Sequence, residues 1–298
     1  MKVLVTGSSG FIGDALVRTL AAQGHEPVCL VRSGPSTPGK VPWDPERGHV
    51  DPSLIEGAGA AVHLGAVSIG ARRWNEAHKN QVLDSRMKGT RLLAKTLASL
   101  DEPPRVLVSA SAVGVYGNRG DELLTEESGP GKGFLAEVCK IWEAETRPAQ
   151  EAGIRVVTTR SGLVLSPGGG ILKRILLPFR VGLGGRLGSG RQWWPWISLE
   201  DEVGAIIHAM NDEEMHGPVN VTAPQQVTNA EFTRVLGEVL GRPTALPAPT
   251  AALRIAFGPE MADELLLSGQ RVVPKKLEGS IFTFKDPELE PALRRLLN

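Results

Sequence analysis

Short apolar runs alternate with longer amphipathic stretches through the first half of the chain. Residues 2–6, 27–31, 60–64, 106–109 and 155–160 are apolar runs of strand length. Between the first two, residues 11–23 place Ile12, Leu16, Val17 and Leu20 on one helical face. Further helices are predicted over roughly 75–100 and 134–151. Apolar strands separated by helices predict an α/β fold built on a doubly wound parallel sheet, covered on both faces. Past Gly162 the texture changes to glycine-rich and tryptophan-rich segments. Helices are predicted over 199–210, 229–240, 251–257, 260–267 and 287–297, with 219–221 returning to the sheet. This division predicts a main domain of residues 1–165 with 196–222 returning to it. Residues 166–195 and 223–298 would form a smaller, mainly helical C-terminal lobe.

Composition narrows the class. The 298 residues are 41% hydrophobic and 22% charged, with formal net charge +0, values of an ordinary globular protein. No basic stretch resembles a nucleic-acid footprint. Cys29 and Cys139 belong to no CxxC pair, so free thiols in a reducing compartment are expected. The chain opens on a strand, with no room for a signal peptide, and its apolar stretches are broken by His63, Gly65 and Gly70. A cytoplasmic protein without a membrane partner is expected. Six scattered histidines without ligand spacing predict no metal.

The chemistry starts between the first strand and the first helix. There the chain reads Thr6-Gly7-Ser8-Ser9-Gly10-Phe11-Ile12-Gly13. Gly7 permits a tight turn, Gly10 lets backbone approach a diphosphate, and Gly13 lets helix and strand pack closely. The helix N-terminus offers unpaired N–H groups to the anion. Thr6, Gly7, Ser9, Gly10, Phe11, Ile12 and Gly13 are therefore candidate dinucleotide-binding residues of a Rossmann-type domain. At the end of the second strand an NAD enzyme would place Asp or Glu, whereas this chain has Val31-Arg32-Ser33. Arg32 suits a 2′-phosphate, so NADP(H) is the predicted cofactor.

The TGSSGFIG turn, His63-Leu64-Gly65-Ala66 after a later strand, and Ser109-Ala110-Ser111-Ala112-Val113-Gly114-Val115-Tyr116-Gly117 give the chain its resemblance. It resembles the extended short-chain dehydrogenase/reductases, and more narrowly their atypical epimerase-family, nucleoside-diphosphate-sugar epimerase-like subgroup. Arg73-Trp74, Asp84-Ser85-Arg86, the segment from Phe134 to Glu143, Gly188 to Ile197 and Gly269-Gln270-Arg271-Val272-Val273-Pro274 extend the likeness over essentially the whole chain. The resemblance implies that Leu64, Gly65 and Ala66 line the cofactor. It also implies a Tyr and a Lys four residues later beside the nicotinamide, with a serine holding the substrate oxygen.

This chain breaks that pattern. Its only tyrosine is Tyr116, followed four residues later by Gly120, so the dyad is absent. Anchoring the relevant helix on Lys140 puts Ala136 in the tyrosine position. Anchoring on Trp142-Glu143 puts Leu135 and Cys139 in the two positions. Ser111 most nearly fills the serine slot, although counting back from Tyr116-Gly117 assigns it to Ala112. Ser111 and Lys140 are the candidate catalytic residues, Lys140 also as a ribose ligand, with Glu137, Cys139 and Tyr116 within reach. On the substrate side, Gly184 to Gln192 and the tryptophans that follow combine close backbone approach, anion binding and stacking. Arg73, Trp74, Tyr116, Arg186, Gln192 and Trp196 are candidate contacts for a small-molecule substrate, phosphorylated or nucleotide-linked. Two readings follow. One is an NADP(H)-binding oxidoreductase or epimerase-like protein of unassigned substrate. The other is a catalytically silent NADPH-binding sensor or regulator, a class in which some relatives carry cell-division-related labels.

Overall fold

The structure is a computed structural model that describes every residue except Ser33 and Asn298. The first half runs β1 (Lys2–Thr6), α1 (Phe11–Ala22), β2 (Glu26–Val31), β3 (Lys40–Asp44), β4 (His49–Val50), β5 (Ala60–His63), α2 (Glu76–Ala98), β6 (Val106–Ala112), β7 (Leu123–Leu124), α3 (Phe134–Ala144) and α4 (Arg147–Glu151). The second half runs β8 (Arg155–Ser161), β9 (Leu163–Ser166), α5 (Gly170–Arg180), β10 (Trp196–Ser198), α6 (Leu199–Asn211), β11 (Gly217–Val221), α7 (Asn229–Leu240), α8 (Thr250–Phe257), α9 (Pro259–Met261), β12 (Arg271–Val272), α10 (Lys275–Glu278) and α11 (Leu289–Leu297).

One eight-stranded sheet has the order β11-β8-β6-β5-β1-β2-β3-β4. All its pairings are parallel except β3 with β4 at the edge. The chain steps outward from β1 to β2 and β3, then returns to β5 on the other side. That reversal opens a crevice beyond the carboxyl ends of β1 and β5, where such sheets bind ligands.

Alternation along each strand feeds two cores. Val3 and Val5 pack with Leu16 and Leu20 of α1 and Ile206 and Ala209 of α6 on one face. Leu4, Leu30, Ala61 and Leu107 meet Leu93 and Leu97 of α2 and Ala149 of α4 on the other. A third cluster joins Leu172, Leu176 and Phe179 of α5 to Phe232 and Leu236 of α7 and Leu289 and Leu293 of α11.

The structure departs from the predicted elements in several places. The helix expected over 134–151 is two helices, with the break at Glu145 and Thr146 and Pro148 in the first turn of α4. Proline fits that turn because it has no N–H to leave unpaired there, and a helix interior would not accept it. Helix α5, which begins at Gly170 and contains Pro178, has no counterpart among the predicted helices. Among the described residues no helix is long and apolar enough to cross a membrane.

Candidate functional site

The glycine turn is backbone packed on backbone. Gly7 has φ 68, and a Cβ there would stand 2.8 Å from the Leu64 carbonyl carbon. A Cβ on Gly13 would overlap Gly7 O, so the first turn of α1 rests directly on the loop. Gly10 caps α1 in extended conformation and contributes no side-chain cap. The amides of Phe11, Ile12 and Gly13 therefore point at the crevice without a side-chain acceptor, which suits a diphosphate. The Phe11 ring lies against Gly169, where a Cβ would overlap it, so the β9–α5 loop closes over the turn. Arg32 is exposed just beyond β2, at the expected ribose end; its neighbour Ser33 lies outside the described residues.

Thr6 needs correction as a cofactor contact, since its side chain is fully buried. Its hydroxyl accepts from the amides of Leu64 and Gly65, both at 3.1 Å, and lies 2.7 Å from His63 Nδ1. With two amides donating to it, the hydroxyl donates to Nδ1, which places the histidine's proton on Nε2. Thr6 thus fixes the Leu64–Ala66 loop against the glycine turn from below. Burial, and then Arg86, pushes His63 down to about 4, so it stays neutral.

Where the resemblance expects the nicotinamide, the packing of α3 favours one of the two anchorings. Cys139 is buried in the cluster on which Ala112 of β6 packs, and Leu135 faces Gly114 one turn earlier. This inward packing of Leu135 and Cys139 matches the Trp142-Glu143 anchoring. Lys140 is corrected: it lies on the solvent face of α3, its Nζ 2.7 Å from Glu137. Ser111 is corrected too. It is buried and donates to Glu143 Oε1 at 2.7 Å, so its hydroxyl proton is committed within the fold. Burial pushes the Cys139 thiol up to about 11, which rules it out as a base near neutrality.

Glu143 belongs to a buried polar chain that the sequence did not reveal. Arg160 donates to both its carboxylate oxygens at 2.9 Å, and Arg160 Nη1 donates to Tyr116 Oη at 3.0 Å. Tyr116 Oη lies 2.6 Å from Asn220 Oδ1, and Asn220 Nδ2 donates to Val273 O at 2.9 Å. The chain runs from β6 through α3, β8 and β11 to the C-terminal segment. Tyr116 was expected at the substrate; it is fully buried, and burial raises its phenol above the usual value.

The remaining substrate candidates separate. Trp196 is also corrected: it is wholly buried in the third core, with Nε1 donating to Gln225 O at 3.1 Å. The Gln192 amide is committed to Leu187 O and Leu266 O. Trp74 packs edge-on against Phe134 with centroids 5.1 Å apart, Arg73 lies alongside Gly258, and Arg186 is exposed beside Gly190. Glu264 accepts from the amides of Phe134 and Leu135 at 2.8 and 2.9 Å, so the C-terminal segment caps α3. A further buried acid, Glu202 of α6, accepts from Ser161 at 2.6 Å, and burial pushes it up to about 7 against that hydrogen bond. The only sequence signals for these groups were an arginine inside the apolar run of β8 and three acids opening α6.

His63 and Glu202 pull stability in opposite directions with pH. The unfolded imidazole protonates near 6.5 while the folded one resists to about 4, so the fold loses stability as pH falls through that window. The Glu202 carboxyl stays protonated to about 7 in the fold but ionises near 4.5 in the unfolded chain, so its contribution is lost as pH rises from 4.5 to 7. At about 1.4 kcal/mol per pH unit, each effect amounts to about 3 kcal/mol over its range. Urea unfolding should show His63→Gln gaining on the wild type toward acid and Glu202→Gln gaining toward neutrality. Curves parallel to the wild type would refute both assignments.

The strand order, the glycine turn beyond β1 and the unpaired amides of α1 define a dinucleotide-type α/β protein. Residues 3–222 match the model of the NAD dependent epimerase/dehydratase family, and the chain belongs to that family. Residues 248–296 match a domain of unknown function, DUF1731. The epimerase family protein Mb2239 of Mycobacterium bovis is 47% identical over 291 residues, covering 98% of this chain and 96% of the relative. A crystal structure of human epimerase family protein SDR39U1 (isoform 2) with NADPH superposes with a TM-score of 0.91 at 38% identity, covering 99% of each chain. A nucleoside-diphosphate sugar epimerase from Corynebacterium glutamicum superposes with a TM-score of 0.82 at 38% identity, covering all of this chain and 58% of that one.

Proposed function

We propose that this chain binds NADP(H) across the crevice and acts as an oxidoreductase or epimerase-like protein on a small carbonyl or nucleotide-linked compound. The observation that carries this reading is the set of unpaired α1 amides above a turn where Gly7 and Gly13 leave no space for a Cβ. The backbone from Gly7 to Gly13 would hold the diphosphate, with Ser9 and Gly10 at the exposed rim. Arg32 would pair with a 2′-phosphate, and the Leu64–Ala66 loop would border the cofactor beside it. The NADPH in the human relative supports the choice of coenzyme. The name of the Corynebacterium relative supports a nucleotide-linked substrate, which the exposed Arg73 and Arg186 suit. A bound dihydronicotinamide supplies a hydride; proton supply must come from this chain. Two unpaired thiols suit a reducing compartment such as the cytoplasm. In this reading the chain divides into a main domain of residues 1–165 with 196–222 and a smaller lobe of residues 166–195 and 223–298.

One observation favours a second reading, a coenzyme-binding sensor. The dyad positions hold Leu135, which has no proton to give, and Cys139, whose buried thiol stays protonated near neutrality and cannot act as a base. Turnover of bound NADPH with a panel of carbonyl and nucleotide-sugar compounds distinguishes the two. Any substrate-dependent oxidation supports the enzyme, and tight binding with no turnover supports the sensor.

Arg32→Ala tests the coenzyme. Loss of a charge-assisted contact of about 1.5–3 kcal/mol should weaken NADPH by about 10- to 100-fold. NADH, lacking the 2′-phosphate, should be nearly unaffected. Equal weakening of both in a fluorescence titration would count against the 2′-phosphate role.

A further inference from the structure

We infer that Ser161 and Glu202 form a proton relay at the nicotinamide end of the cleft, with Ser161 as catalytic donor and Glu202 as the positioning residue that recharges it. The inference rests on the dinucleotide reading above. It answers the gap that reading leaves, which is a proton source where the dyad is missing.

Geometry carries it. Ala112 and Ser161 are register partners at the carboxyl ends of β6 and β8. Counting back from Tyr116-Gly117 makes Ala112 the superfamily's serine slot, so Ser161 sets a hydroxyl one strand away from the one that is lost. Val106 and Val108 of β6 and Val157 of β8 face the α6 side, so by alternation Ala112 and Ser161 face it too. Both are half-buried rather than sealed. Behind Ser161, Glu202 is 1% exposed, bonded to the serine hydroxyl at 2.6 Å, and its Oε2 has no partner. A carboxylate buried with one oxygen unpaired is costly, whereas the neutral acid fits such a place.

No charge on the packed elements faces it among the described residues. Arg160 turns to Glu143, and Asp14 pairs with Arg18 on the exposed side of α1. Asp201 accepts from the amides of Lys285 and Asp286. At the opposite end of β8, Arg155 bonds the carbonyls of Ala209, Met210 and Met215. Glu202 is pushed up to about 7 by burial, so it holds a proton it can give up near neutrality.

When Glu202 is protonated, its O–H can donate to Ser161 Oγ, which turns the serine hydrogen toward the cleft. On a carbonyl substrate the new C–H bond would form with hydride from C4 of a bound dihydronicotinamide, whose C4–H bond breaks to leave the oxidised ring as the C=O π pair moves onto oxygen. Ser161 gives its proton to the carbonyl oxygen, the Glu202 O–H bond breaks to restore the serine hydroxyl, and the carboxylate left behind is reprotonated from solvent.

The test reads protons rather than turnover. A positively charged nicotinamide beside the relay should lower the Glu202 ionisation by about one pH unit, and a neutral dihydronicotinamide should not. Binding of NADP⁺ in weak buffer with a pH indicator should therefore release about half a proton per coenzyme near pH 6.5, and NADPH much less. In Glu202→Gln the difference in proton release should vanish, with NADPH affinity kept and NADP⁺ affinity about threefold weaker at that pH. In Ser161→Ala, the variant to use if Glu202→Gln does not fold, the pH of maximal release should rise by about one unit. Coenzyme binding with equal release from both forms, or a difference unchanged in either variant, overturns the relay alone. Failure of both coenzymes to bind overturns the dinucleotide reading, and the relay with it.

Discussion

Gly13→Ala is expected to abolish coenzyme binding and to lower stability by about 3 kcal/mol. Overpacking in a close-packed interior typically costs about 1–3 kcal/mol, and here the clash is at the upper end. The new methyl would overlap Gly7 O and stand 2.8 Å from Gly7 C, and neither is the end of a flexible side chain. Relief requires lifting α1 off the loop, which turns its first amides away from the diphosphate. Helix propensity argues the other way, since alanine is favoured over glycine by about 1 kcal/mol in a helix. The sign of the change therefore distinguishes close packing from an ordinary helical glycine. Urea unfolding and an NADPH fluorescence titration on the same preparation read both effects. A variant more stable than the wild type, with binding intact, would refute the role given to Gly13.

The second large effect is expected from Glu143→Ala, at about 3–5 kcal/mol. Removing one partner of a buried ion pair leaves the other charge without compensation. Arg160 is 7% exposed and would keep only Tyr116 Oη, while the buried Ser111 would lose its acceptor. Replacing both members, as Glu143→Leu with Arg160→Met, should cost less than the sum of the single changes, because no charge is stranded. Chemical denaturation of the four proteins in the cycle measures this. A loss below about 1 kcal/mol for Glu143→Ala would mean that water reaches Arg160 and the pair contributes as little as an exposed one.

The sheet and its turn were legible because both are written locally. The apolar runs of β1, β2, β5, β6 and β8 and the single apolar face of α1 are periodic signals, and Gly7, Gly10 and Gly13 act through backbone beside them in the chain. The turn proposed to hold the diphosphate is therefore readable from seven consecutive residues, Gly7 to Gly13. Elsewhere the chemistry depends on residues far apart in the chain, and local patterns misled. Lys140 is the nearest base to the expected dyad, yet helical rotation sends it to solvent with Glu137 and turns Cys139 inward. Trp196 belongs to a cluster that looks like a stacking platform, but it fills the core under α5 and α7. Arg160 passed as a strand residue because nothing local reports that Glu143, Tyr116 and Asn220 converge on it. Glu202 was hidden among three acids opening α6, where acidic residues complement the helix dipole and need no further explanation.

Equilibrium titration of the unmodified protein with NADPH, followed by nicotinamide fluorescence, bears most directly on the claim that the α1 amides and Arg32 hold a phosphorylated dinucleotide. Saturable one-to-one binding, tighter than for NADH, is the predicted result. No saturation up to millimolar coenzyme would contradict the account.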